Sequence, residues 1–219
     1  MKLFKKITRK NLLWLLFLMI FLLSVSLTAA HNKVAVIPLF GDQSGAPSAI
    51  AKTGQTTSYA TGDDGDLQMG VSWPAPRFID NGDGSVTDKL TGLIWLKNAS
   101  CPNEIKKWSD ALTFAKSLYD GWTGDGSGGD CGLSDGSSAG AWRLPNVREL
   151  HSLIDFGRSG PALPALHPFT GVQSNNYWSS TTNDYDPDTA WAVYMYSGHV
   201  VDYYMVDNSF YVWPVRGGN

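Results

Sequence analysis

Charge is scarce in this chain. Only 17% of its 219 residues are Asp, Glu, Lys or Arg, and Glu occurs just twice, at Glu104 and Glu149. A coiled coil or helical bundle would be rich in Ala, Glu, Lys and Leu, so the composition argues against both. Basic residues are scarcer than the net charge of −3 suggests, because Lys2, Lys5, Lys6, Arg9 and Lys10 crowd the first ten positions. From His31 onward 12 Lys/Arg stand against 20 Asp/Glu, with no basic run among them. Such a body lacks the electrostatic footprint of a nucleic-acid binder. Cysteine is nearly absent, with Cys101 and Cys131 alone. Some familiar catalytic signatures are missing as well. None of His31, His151, His167 and His199 begins a His-Glu-x-x-His metal motif, and no Gly-rich loop is followed by the Lys-Ser/Thr that cradles phosphate. Glu149 and His151 stand two apart on an expected helix, hence on different faces.

What is present points to a packed, turn-rich globule. Hydrophobic residues make up 43%, enough for a core, and 23 Gly, 9 Trp and 9 Tyr imply many turns and many large flat side chains. Almost all the acids are Asp, a residue of turns and caps, so the negative charge belongs to loops.

The one long apolar run, Leu12 to Leu23, follows the basic start and leads through Ser24 to the small pair Ala29-Ala30. This is the layout of a secretory signal over 1–30, with cleavage after Ala30. An uncleaved anchor is the alternative, since residues 12–30 just reach spanning length. In both cases the body lies outside the cytoplasm, in the periplasm or at the cell surface, and touches membrane only through an uncleaved signal. In that oxidising setting Cys101 and Cys131 read as a disulfide, which on the chain-entropy model adds roughly 3–4 kcal/mol. The competing reading, a metal or nucleophile pair, wants closer spacing and a His between the two, and none is there.

Three regions follow from composition: the signal at 1–30, a short apolar segment (Lys33–Leu39) and Gly/Ser/Thr-rich linker over 31–72, and a folded body at 73–219. Within the body, Asn81-Gly82 between two alternating runs signals a hairpin of 77–80 with 85–88, and Leu93–Leu96 is a third strand. Trp108, Ala111, Leu112, Ala115 and Leu118 recur at helical spacing over 106–119. A second helix starts after Pro145, with Asn146 and Glu149 spaced as a capping box. Strands return at 177–180, 190–195, 199–202 and 211–216. The order predicts an α+β domain with small antiparallel sheets and two helices.

These residues also carry a resemblance. Arg77–Asp88, Thr91–Leu96, Trp142-Arg-Leu-Pro-Asn-Val-Arg-Glu-Leu150, Tyr177-Trp-Ser-Ser180 and Val215-Arg-Gly217 resemble, in order, the domain of unknown function 1566 family, also named for the C-terminal domain of a bacterial collagen-like adhesin. The resemblance implies a fold related to the formylglycine-generating-enzyme and C-type-lectin-like group. It also implies an exported recognition domain, with glycan binding described for the adhesin. The chain departs from the enzymes of that group, which need a late cysteine pair where this sequence has no Cys after Cys131. It departs from calcium-dependent lectins too, lacking their Glu-Pro-Asn, Gln-Pro-Asp and Trp-Asn-Asp signatures. The expectation is therefore a non-catalytic module that adheres to an extracellular glycan or protein; the alternatives are a structural envelope protein mediating assembly, or a metal-assisted enzyme of the related fold.

Two groups of residues are candidates for binding. The strand-rich tail concentrates Tyr, Asn, Asp and Ser, a mixture that gives rigid contact area with adaptable hydrogen bonding. From it Tyr185, Trp191, Tyr194, Tyr196, Tyr203, Tyr204 and Asn208 are the expected ligand surface. Tyr203 and Tyr204 are adjacent, so in a regular strand one of them faces outward. No cofactor is expected apart from calcium, for which Asp80, Asp83 and Asp88 are the candidates, with oxygen ligands on flexible turns. The same Asp residues fit plain Asx turns.

Overall fold

The computed structural model describes residues 50–101, 103–124 and 129–217. The expected signal, the Lys33–Leu39 segment and the first part of the linker lie outside the described residues.

The fold grows from short local elements. β1 (Phe78–Asp80) and β2 (Ser85–Asp88) form the antiparallel hairpin that Asn81-Gly82 announced, with Phe78 opposite Asp88 and Asp80 opposite Val86. At Gly84 φ is +82°, and a Cβ there would sit 2.0 Å from the Gly132 carbonyl oxygen. Only glycine lets the loop around Cys131 lie this close to the hairpin. The Cys101–Cys131 disulfide, with Cα atoms 5.5 Å apart, holds that loop down. β3 (Ile94–Leu96) pairs with β2, and β7 (Val215–Arg216) returns from the far end of the chain to pair with β3. The first sheet thus runs β1-β2-β3-β7, and its last strand is much shorter than the expected 211–216.

Helix α2 (Trp108–Ser117) buries Ala111, Phe114 and Ala115. Helix α3 (Val147–His151) opens with the anticipated capping box: the Glu149 N–H donates to the Asn146 side chain while the Asn146 N–H donates to the Glu149 carboxylate. The second sheet is a meander of β4 (Asn176–Thr182), β5 (Thr189–Tyr194) and β6 (His199–Tyr204), with β6 at its edge.

An aromatic spine joins the two sheets. Trp213 is fully buried, donates its indole N–H to the Leu96 carbonyl at 2.8 Å, and lies 5.8 Å from Trp95 of β3 and 5.6 Å from Tyr177 of β4. Trp142 and Trp178 are fully buried as well, so most of the described tryptophans build core. Beside the spine lies an ion pair with no access to water. The Arg77 guanidinium binds Asp88 in bidentate fashion (Nε to Oδ1 3.0 Å, Nη2 to Oδ2 2.8 Å), and the two side chains are 4% and 0% exposed. Nη2 also donates to the Ser152 carbonyl just beyond α3, which ties the β1–β2 hairpin to the helix.

The described part of the expected linker, 50–72, is organised rather than free. Lys52 and Val71 exchange backbone bonds with each other's neighbourhood (Lys52 N–H to Val71 O, Val71 N–H to Ile50 O), and a one-turn helix α1 (Asp64–Leu67) is capped by the Asp63 carboxylate. The segment is fastened to the body through Phe156, whose N–H donates to Thr53 O, and through Trp73, whose indole N–H donates to Lys52 O. Gly54 has φ +92°, and a Cβ there would collide with Asp155 and Trp73. Residues 50–72 are thus fastened to the body by backbone groups and a close approach at glycine, contacts that leave no apolar periodicity in the sequence.

Deleting 50–72 from the full chain should lower the melting temperature, by about 2–4 °C for each kcal/mol of lost contact in a domain of this size. A melting curve that superposes on that of the intact chain would show that the segment adds nothing to the body.

Candidate functional site

Register decides which tail residues can act together. In the β5–β6 pairing Trp191 stands opposite Asp202 and Thr189 opposite Tyr204. Directly paired and alternate residues share a face, so Thr189, Trp191, Asp202 and Tyr204 line one side of the sheet. Ala190 pairs with Tyr203 and Tyr194 with His199, which puts Tyr194 and Tyr203 on the other side. The seven expected residues therefore do not form one surface. Tyr203 leans edge-on against Phe210 at 4.8 Å, and Phe210 in turn contacts buried Trp178. Tyr194 stacks with Tyr196, which is in the turn after β5, at 5.9 Å. Asn208 closes the other end of β6 by donating its side-chain amide to the Tyr204 carbonyl. Tyr204 is the exposed member of the adjacent pair, at 53%, and Tyr185 stands almost free at 97%.

The face that does cohere has a polar centre between aromatic flanks. Asp202 Oδ2 accepts from the Asn183 amide at 3.0 Å and from the Thr189 hydroxyl at 3.1 Å. The Asn183 side chain in turn accepts from the Tyr185 N–H, so one carboxylate organises the whole hairpin between β4 and β5 that carries Tyr185. The Asn183 hydrogen bond is the main reason that the Asp202 carboxyl is held below the ordinary carboxylate range. Its anchoring is thus present above that range and is lost as pH falls through and below it. No side chain among the described residues bonds Oδ1, which keeps its acceptor capacity. Trp191, half-buried, and Tyr204, exposed, lie diagonally across the strand pair, a distance that aromatic side chains bridge. Asn183, Thr189 and Asp202 were absent from the expected site, and only the alternation of Asp202 with Tyr204 along β6 hinted at their role.

The calcium candidates are not brought together. Asp88 is buried against Arg77, and it also accepts from the Leu90 N–H and the Thr91 hydroxyl. Asp80 pairs with Lys97, whose hydrogen bond lowers its pKa, and accepts from the Gly82 N–H. Asp83 accepts from the N–H and hydroxyl of Ser85. All three make the Asx-type turn bond two residues ahead, the plainer of the two readings. Among the described residues no group of three or more His, Cys, Asp or Glu is placed to hold a metal ion.

A family model described as the Lcl C-terminal domain matches residues 84–216, from the β1–β2 turn through β7. The chain belongs to the Lcl C-terminal domain family. No curated protein matches it. The Lcl C-terminal match spans both α2 and α3, the disulfide, and the whole β4–β6 sheet with its Asp202 centre, so the candidate face belongs to the family domain itself. Segment 50–72 and β1 lie ahead of the matched range. Among the described residues no helix is long and apolar enough to cross a membrane.

In Asp202→Ala, the backbone amides of Tyr185, Asp186 and Asp188 should exchange with deuterium faster while those of Trp178 and Val193 keep their protection. Unchanged exchange in the 183–188 turn would mean that the carboxylate does not anchor it.

Proposed function

We propose that this protein is an exported, non-catalytic recognition module that binds an extracellular glycan through the β5–β6 face. The observation that carries the reading is the grouping of Trp191 and Tyr204 around Asp202. Ring faces of Trp and Tyr pack against the apolar side of a sugar, while an ionised carboxylate with a free oxygen accepts from its hydroxyls. The Asp202–Asn183–Thr189 hydrogen bonds hold these groups on a sheet backed by the buried spine, so little ordering cost falls on binding. Membership of the Lcl C-terminal domain family supports a role outside the cell, as do the signal-like start and the Cys101–Cys131 bond, since disulfides persist in oxidising compartments. The related C-type-lectin-like fold and the glycan binding described for the adhesin point the same way. A non-catalytic role is supported by the lack of a His-Glu-x-x-His motif and of a cysteine pair after Cys131.

A second reading, a structural envelope protein that assembles with other chains, is favoured by one observation. β6 is an open sheet edge whose Val200 and Val201 are 37% and 39% exposed, and unprotected edges invite strand pairing.

A glycan array probed with the full chain distinguishes the two. Retention of defined oligosaccharides, reduced about tenfold or more in Trp191→Ala and in Tyr204→Ala, supports the glycan reading, since exposed aromatics carry much of the energy at binding surfaces. Retention that both variants keep in full would remove this face from the account. An array without signal, alongside self-association abolished by Val201→Lys, would favour assembly.

A further inference from the structure

A second concavity lies elsewhere in the domain, between the 50–54 segment and α3. Its volume is about 480 Å³, within the size range of small-molecule sites, and it shares no residue with the β5–β6 face. Its walls are apolar and held in place. Trp73 is fixed by its indole bond to Lys52 O and by the Arg77 guanidinium 4.9 Å from its ring, while Phe156 is fixed by its backbone bond to Thr53 O and sits edge-on to His151 at 5.6 Å. Leu90 and Ile154 complete the apolar lining. Gly54 lets the segment close down against Asp155, where any Cβ would collide. The cavity is thus formed before anything enters it.

Its ionisable groups are all basic. Lys52, Arg148 and His151 line it, and no Asp or Glu does. This is unusual in a body whose acids outnumber its bases. Among the described residues Arg77, Lys97, Lys106, Arg143, Arg158 and Arg216 each face a carboxylate, whereas Lys52 and Arg148, like Lys89, Lys107 and Lys116, have no such partner; of these five only Lys52 and Arg148 line this cavity. Arg148 and His151 are three apart on α3 and so lie on the same side of the helix. His151 is oriented by its Nε2, which donates to the Gly198 carbonyl at 3.1 Å and leaves Nδ1 as its remaining polar atom. Unpaired Lys and Arg beside aromatic and branched apolar walls are suited to an anion with an apolar body. A guanidinium receives a carboxylate in bidentate fashion, and the aromatic walls cover the rest of the molecule.

We propose that this cavity binds a small organic acid, a carboxylate carried on an aromatic or branched apolar group, with Arg148 and Lys52 holding the carboxylate and Trp73 and Phe156 enclosing the body. Inorganic anions lack the apolar part, and neutral aromatics lack the charge, so both are discriminated against.

The test is an NMR titration of the full chain that follows the Trp73 indole N–H and the Phe156 amide. Phenylacetate should shift both in a saturable manner, while phenylacetamide and sodium sulfate should bind about tenfold more weakly or less, each lacking one half of the recognised group. The double variant Lys52→Gln/Arg148→Gln should lose the phenylacetate response with its melting temperature retained, since neither side chain has an ion-pair partner to forfeit. Lys89→Gln/Lys116→Gln, with charges removed away from the cavity, should bind as the parent does. The proposal is overturned by an absent phenylacetate response, by phenylacetamide or sulfate binding equally well, or by undiminished binding in Lys52→Gln/Arg148→Gln. Tighter binding of an acetylated tripeptide ending in Phe would overturn the small-acid assignment by transferring the cavity to peptide C-termini.

Discussion

The Arg77–Asp88 pair is the constraint on which the rest of the domain depends. It closes the open end of the β1–β2 hairpin and reaches α3 through the Ser152 carbonyl, with both side chains buried. A charge buried in this way is tolerable only when its partner is present in good geometry, so loss of either residue costs about 3–5 kcal/mol. The pair also explains the surrounding sequence. Trp73 and Phe78 lie against the two sides of the guanidinium, at 4.9 and 4.7 Å, and exclude solvent from it. Leu90 and Thr91 supply the remaining donors to Asp88, so this calcium candidate spends its acceptors within the fold.

From that anchor the fold passes rigidity to the β5–β6 face. Trp213 hydrogen-bonds to β3, contacts Tyr177 of β4 and stacks edge-on with Phe169, so the two sheets share one aromatic core. β4 is pinned from the side of α2 as well, where the Trp108 indole donates to the Ser179 carbonyl. β5 is thus backed by packed side chains, and Trp191, Asp202 and Tyr204 project from it and from β6. The exposed elements of the face, Tyr185 and Tyr204, stay in place because Asp202 and Asn208 fix the turns beside them.

Legibility in the sequence followed range. The Asn81-Gly82 hairpin, the Asn146–Glu149 capping box and the Asx turns at Asp80, Asp83 and Asp88 are local chemistry, and each forms where the residues said it would. The Cys101–Cys131 bond needed only an even count and an oxidising compartment. The order of 50–72 was illegible because it rests on the Lys52 and Thr53 carbonyls and on a close approach at Gly54, none of which leaves a hydropathy pattern. The tyrosine-rich tail was legible as composition and not as a site. Strand register, a non-local property, sends Tyr203 to Phe210 and Tyr194 to Tyr196, and assembles Trp191, Asp202 and Tyr204 instead. The Lys52–Arg148 cavity unites residues almost a hundred positions apart and was invisible for the same reason.

The central claim is that recognition resides on the β5–β6 face. An NMR chemical-shift map of the full chain with an oligosaccharide it retains tests this most directly. The account predicts shifts at the Trp191 indole N–H and at the amides of Asn183 to Asp188 and Asp202 to Tyr204, with the β1–β3 amides unmoved. Shifts centred on the loop around Cys131, with the β5–β6 resonances in place, would contradict it.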